Sequence, residues 1–141
     1  VVTDVWGVST DLYWRANEHF GIAGELFTGA GLGNYNGAVL QPLDPNTLEA
    51  IESSGGWIES FVYWTPCLHT HLGYGIDDPE DNQVGAAGRT KNATYFANLL
   101  WDINSTFRVG FEFTYRETEY FSPALRNNQG AGYHTQVQWA F

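Results

Sequence analysis

The sequence predicts an all-β fold of antiparallel strands, and two observations support this prediction. Apolar and polar residues alternate with a period of two along most of the 141 residues, which is the spacing that places side chains on the two faces of a strand. Aromatic residues reach 16%, whereas charged residues make up only 16%, against roughly 25% in typical soluble domains. We therefore expect strands that each carry one broadly aromatic and aliphatic face.

Seven strands are expected along the chain, at about 4–14, 20–30, 56–64, 68–77, 93–102, 106–119 and 132–141. The joins near 15–19, 65–67 and 103–105 are short and contain an odd number of residues, so the apolar stripe stays on one face across each hairpin. The connections at about 30–55, 78–92 and 121–130 are long, polar and rich in Gly and Asn. This alternation of short and long connections predicts an up-and-down meander.

One helical signal lies in the first long connection. Asp44 offers a capping side chain before Pro45, which suits the first position of a helix, and Leu48 and Ile51 follow at helical spacing. The sequence therefore predicts a short loop helix at about 45–53.

The apolar face carries large aromatic residues toward both ends of the strands. Two aromatic girdles around a band of Val, Leu, Ile and Phe are typical of a β-barrel that crosses a membrane. The residues near the short turns are Trp14, Trp64, Trp101 and Trp139, and those toward the long connections are Trp6, Trp57, Tyr74, Tyr95 and Tyr133.

The opposite face is polar, and its composition suits a water-filled lumen. Such groups would be costly inside a soluble β-sandwich. We expect the lumen to be lined by Asp11, Glu25, Glu59, His69, His71, Asn98, Asp102, Arg108, Glu112, Arg116, His134, Gln136 and Gln138.

The last twelve residues, GAGYHTQVQWAF, resemble the C-terminal strand of bacterial outer-membrane proteins, and the segments at 55–79 and 106–120 are similar to porin-like barrels of diderm bacteria. The resemblance implies an outer-membrane location with a periplasmic C-terminus and contact with membrane lipids and lipopolysaccharide. It further implies assembly by the barrel-assembly machinery, with Phe141 as the signal that this machinery reads. A homo-trimer is one candidate assembly.

Seven strands cannot close a single-chain bacterial barrel, because such barrels use even strand numbers. We expect the chain to be the C-terminal part of a larger even-stranded barrel. The alternative is an eight-stranded barrel with an irregular strand at about 31–41.

Two clusters of charged or titratable side chains are expected on the polar face. His69 and His71 lie two residues apart, with Phe61 and Tyr63 opposite them in one register. A metal site would need a third ligand, so we expect a wall pair and no metal. Arg108, Glu112 and Arg116 form a ladder along one strand with Asp102 across the hairpin, which either sets ion preference in a pore or forms a salt-bridged wall.

The leading functional hypothesis is an outer-membrane porin-type channel for passive diffusion of small hydrophilic solutes or ions. In that setting the loop helix would either narrow the pore or cap its rim. The alternatives are a non-conducting structural or adhesive barrel and a soluble secreted β-barrel or sandwich that binds a ligand. The formal charge of −10 argues against a nucleic-acid partner. We expect no enzymatic activity, because no nucleophile with a matching histidine is evident, and no cofactor.

Overall fold

The computed structural model describes residues 3–140 and shows one antiparallel sheet whose strand order follows the chain. This confirms the prediction of seven up-and-down antiparallel strands. Phe141, the predicted assembly signal, lies outside the described residues. The strands are β1 (Trp6–Arg15), β2 (Phe20–Ala30), β3 (Glu52–Thr65), β4 (Leu68–Pro79), β5 (Arg89–Asp102), β6 (Phe107–Tyr120) and β7 (Asn128–Trp139).

Side-chain oxygens in the short turns explain why the chain reverses there. The amide oxygen of Asn17 accepts the backbone N–H groups of His19 and Phe20 at 2.8 and 2.9 Å. Asn104 accepts the backbone N–H of Thr106 at 2.9 Å in the same way. Asn and Thr favour turns because their side chains replace the backbone partners that a turn leaves unpaired.

The sheet is open across the described residues, because β1 and β7 each pair with only one neighbour. The segment at 31–41 does not form the eighth strand of the alternative prediction. It contains two short 3-10 turns, Leu32–Tyr35 and Ala38–Leu40. Within residues 3–140, no helix has the length and apolar character needed to cross a lipid bilayer.

The predicted loop helix at 45–53 is wrong, and local hydrogen bonds give the reason. The Asp44 side chain does accept a nearby N–H, that of Asn46, at 2.8 Å, and the N–H of Leu48 closes one turn on the Asp44 carbonyl. Leu48 then adopts a left-handed conformation with φ of 61°, which ends any helix after that turn. A bridge between Leu43 and Ala50 follows, and β3 begins at Glu52.

Apart from irregularities between Tyr63 and Thr65 and between Arg89 and Lys91, the register is continuous and divides the sheet into two faces, since directly paired residues of antiparallel strands project to the same side. The apolar face consists of the even-numbered positions of β1–β4 and the odd-numbered positions of β5–β7. The polar face consists of the remaining strand positions. Leu72 and Phe111 on the apolar face are 59% and 57% exposed, whereas Phe61 and His69 on the polar face are 4% and 2% exposed.

Candidate pore-lining face

The register brings all thirteen predicted lumen residues to the polar face. One row crosses four strands directly, because His71 pairs with Asn98, Asn98 with Glu112, and Glu112 with His134. The same face carries Asp11, Glu25, Glu59, His69, Asp102, Arg108, Arg116, Gln136 and Gln138.

Eight of the nine predicted girdle residues lie on the apolar face. Trp14, Trp64, Trp101 and Trp139 stand at the short-turn ends of their strands, and each is more than half exposed. Trp6 lies at the other end of β1. Tyr74, Tyr95 and Tyr133 lie farther along the strands, with the rings of Tyr74 and Tyr95 4.9 Å apart.

The placement of Trp57 in a girdle is wrong. Trp57 pairs directly with Glu25 and is two residues from Glu59, so all three project from the polar face. The register is continuous from Ser53 to Tyr63, and without a bulge a period of two cannot place Trp57 and Glu59 on opposite sides.

Three phenylalanines on the polar face each lie over a glycine of the neighbouring strand, a feature that the sequence analysis missed. A Cβ at any of the three glycines would meet the facing phenylalanine ring. The pairs are Phe27 with Gly55, Phe61 with Gly21 and Phe96 with Gly73, and each is a directly paired position of the register. Cross-strand aromatic and glycine pairs of this kind cover backbone that would otherwise be bare.

The two histidines form a hydrogen-bonded pair in the wall. The Nδ1 atom of His69 lies 3.0 Å from Nε2 of His71, and Nδ1 of His71 lies 2.9 Å from a carboxylate oxygen of Glu59. Tyr63 stacks on His69 with ring centroids 4.6 Å apart, and Phe61 lies over His71 at 5.7 Å. His71 pairs directly with Phe61 and His69 with Tyr63, which is the register considered from the sequence.

Charged groups occupy the polar face in two different ways. On the β5–β6 hairpin Asp102 pairs directly with Arg108, and the two side chains form an ion pair. Near β1 the carboxylates of Asp11 and Glu25 stand opposite each other, and within residues 3–140 neither forms an ion pair. In the described part of the chain, no three His, Cys, Asp or Glu residues come together as a metal site.

The first long connection, 31–51, folds onto the polar face. The Val39 N–H donates to the Asp77 carboxylate at 2.6 Å, and the Gln41 side chain exchanges two hydrogen bonds with the backbone of Arg89, at 2.8 and 2.9 Å. Ala38 and Ile51 of this connection form a small buried cluster with Val84. Between this loop and the wall lies a groove of about 550 Å³ whose lining includes Glu25, Phe27, Tyr35 and Trp57.

The fold and the separation of its two faces are those of a wall of a porin-like β-barrel. The crystal structure of the outer membrane channel DcaP of Acinetobacter baumannii has the same fold, with a TM-score of 0.83 and 16% sequence identity. The similarity covers 97% of this chain and 41% of that one, so the chain spans about two fifths of that channel's length. No model of a known protein family matches the chain, and neither does any curated protein sequence.

Proposed function

We infer that the chain is part of the wall of a porin-type channel in the outer membrane, which admits small hydrophilic solutes or ions by passive diffusion. The observation that carries this proposal is the separation of the two faces. Large apolar side chains cover one face and are exposed, while thirteen predicted polar residues share the other. Soluble monomers rarely expose an apolar surface of this extent, whereas a barrel in lipid requires one.

The dimensions of the apolar face fit a membrane. On β5, Trp101 lies six positions after Tyr95, which is about 20 Å of strand. The apolar band of outer-membrane barrels is about 25 Å tall and has aromatic residues at both borders. In this proposal the strands cross the membrane, and further strands of a longer chain close the barrel.

The orientation in this proposal is supported by the short and long connections. Bacterial barrels keep short turns in the periplasm and long loops outside, so the C-terminus is placed in the periplasm and the loop at 31–51 outside. The apolar face contacts membrane lipids and lipopolysaccharide, the barrel-assembly machinery recognises the last strand, and a homo-trimer is the candidate assembly. Transport needs no catalytic step, so the proposal includes neither an enzymatic activity nor a cofactor.

The loop at 31–51 narrows the entrance in this proposal. Support comes from its contacts, since Val39 and Gln41 bind residues of β4 and β5 and the loop lies across the polar face. A non-helical loop therefore takes the constricting position that the sequence suggested for a loop helix.

Reconstitution of the full-length protein in planar bilayers tests the function. Discrete conductance steps are expected, together with folded protein whose mobility on SDS gels changes on heating. Folded, heat-modifiable protein that gives no conductance would overturn the channel and favour a structural barrel. Protein that stays monomeric without detergent and shows no heat effect would overturn the membrane barrel as well.

A further inference from the structure

The histidine pair lies between two carboxylates, and each outer nitrogen faces one of them. At one end Nδ1 of His71 lies 2.9 Å from Glu59, and at the other Nε2 of His69 lies 3.4 Å from Asp102. The inner nitrogens face each other at 3.0 Å. A chain of contacts therefore crosses β3, β4 and β5 and ends at Arg108 of β6, which is paired with Asp102.

Counting hydrogens shows that two neutral imidazoles cannot satisfy this chain. A carboxylate only accepts, so each outer nitrogen needs a hydrogen, and the contact between the rings needs a third. Two neutral imidazoles carry two hydrogens between them. Whichever tautomers they adopt, one of the three contacts lacks its hydrogen. If the contact between the rings is kept, a bare nitrogen faces either Asp102 or Glu59.

Burial makes the missing hydrogen costly. His69 is only 2% exposed, and its Nε2 atom is buried and has no partner with hydrogen-bond geometry. Tyr63 covers the ring from one side. A nitrogen lone pair held beside a carboxylate at this buried position has no donor to pair with, so the missing hydrogen destabilises the neutral pair.

One added proton places a hydrogen in each of the three contacts, including the 3.4 Å contact from Nε2 of His69 to Asp102, and a second would break the contact between the rings. With three hydrogens on the pair, one faces each carboxylate and one lies between the rings. A fourth hydrogen would make both rings cations and would point their two inner N–H groups at each other across 3.0 Å. The charged and titratable groups that face the pair are Glu59 and Tyr63 from β3, Asp102 from β5 and Arg108 from β6, with Arg15 of β1 over the Tyr63 ring at 5.3 Å.

We propose that His69 and His71 together form a proton-binding site of the wall that takes up one proton and not two. The proton comes from water and adds as an N–H bond, and no other bond changes. With it bound, the carboxylates of Glu59 and Asp102 are balanced by Arg108 and one imidazolium. Without it, this part of the wall carries one uncompensated negative charge.

The consequence for transport rests on the function proposed above. Histidine is the side chain that ordinarily changes charge between about pH 5 and 8. Loss of the shared proton as pH rises gives the wall one more negative charge at this site. We expect the channel to become more selective for cations, because fixed charges along a pore set its ion preference.

NMR titration of the full-length protein in lipid nanodiscs, with nitrogen-15 in the histidine rings, tests the proton site whether or not the protein conducts. Between pH 8 and 5 the two rings should change together and gain one proton in total, with a nitrogen-to-nitrogen coupling across their shared hydrogen. His71→Gln should abolish this joint step, while His134→Gln, a histidine with a single carboxylate neighbour, should leave it intact. Two independent protonations, or none, would overturn the site.

The reversal potential in a salt gradient tests the consequence separately. It should shift toward the cation potential as pH rises from 5 to 8, and the variant His69→Gln/His71→Gln should show a smaller shift than the wild type. His19→Gln, in an exposed turn outside the polar face, should keep it. A conducting wild-type protein whose reversal potential does not follow the NMR titration would overturn the link between the proton and selectivity.

Discussion

Individual glycines on the polar face make room for aromatic rings. Gly73 lies beneath the ring of Phe96 and Gly21 beneath that of Phe61, and the rings lie close to the wall at these positions. Because a methyl group at Gly73 would collide with Phe96, the glycine is required for space and not for an unusual backbone conformation.

Gly73→Ala should destabilise the folded protein by about 1–3 kcal/mol, the usual cost of overpacking. Urea unfolding of the full-length protein in lipid vesicles measures this change. Gly75→Ala is the matched control on the same strand and face, since a Cβ there meets nothing closer than 3.5 Å. The double variant Gly73→Ala/Phe96→Leu should recover stability, and equal effects at Gly73 and Gly75 would contradict this role of Phe96.

Residue identities alone predicted some of these contacts and missed others. Parity and the short turns brought Asp102 next to Arg108, directly or diagonally, and His69 opposite Tyr63 in one register, and the structure pairs both directly. The hydrogen bond between the two histidine rings depends on rotamers, which a sequence pattern does not define. Trp57 was misplaced because its size suggested a girdle, although its spacing from Glu59 already placed both on one face.

Among the elements, the first long connection has the most unusual backbone. Three successive residues, Ala38, Val39 and Leu40, are left-handed, with φ of 50°, 46° and 64°. This conformation costs roughly 1–2 kcal/mol per residue for ordinary amino acids, and a β-branched residue such as Val39 is a clear outlier there. The charged acceptor Asp77 on the Val39 N–H helps to stabilise the turn.

Asp77→Ala should loosen this loop. A hydrogen bond to a charged group contributes about 1.5–3 kcal/mol, so the open form should rise by about tenfold to hundredfold. Chymotrypsin cleavage after Tyr35 and Leu40, both exposed, measures that population. Asp78→Ala, at the next position but on the apolar face, should leave cleavage unchanged. Equal rates in the wild type and Asp77→Ala would show that Asp77 does not hold the loop.

The strands were far easier to predict than this loop. A period of two is a local property, and the odd-numbered short joins carry it from one strand to the next. The loop is instead held by contacts between residues distant in sequence, such as Val39 with Asp77. The Asp-Pro pattern at 44–45 was a correct signal for one turn, but Leu48 and the bridge from Leu43 to Ala50 end it.

The proposed membrane wall requires the apolar face of the sheet to meet lipid and the polar face to meet water. Thr135 and Gln136 provide a matched pair on β7, because both are polar, exposed and adjacent but project from opposite faces. Thr135 pairs with Phe111, in the middle of the apolar band. The pair therefore separates the effect of lipid from the effect of a new charge.

Thr135→Arg should destabilise the membrane-inserted protein by about 2–4 kcal/mol, the cost of a cationic side chain near the bilayer midplane. Gln136→Arg should be tolerated, since in the proposed channel its side chain faces water. Unfolding in lipid vesicles and heat-modifiable mobility measure both. A soluble sheet would tolerate both substitutions alike.

Whether one face of the sheet meets lipid and the other meets water is tested most directly by the water accessibility of single cysteines along β6. The measurement uses full-length protein in lipid vesicles with Cys67→Ser as background. Cysteines at Glu112 and Arg116 should react with a bulky water-soluble thiol reagent, whereas those at Phe111 and Phe113 should not. A lipid-dissolved quencher should reach labels at the latter two positions only. Equal reactivity at Phe111, Glu112 and Phe113 would contradict a wall with one face toward lipid and the other toward a channel.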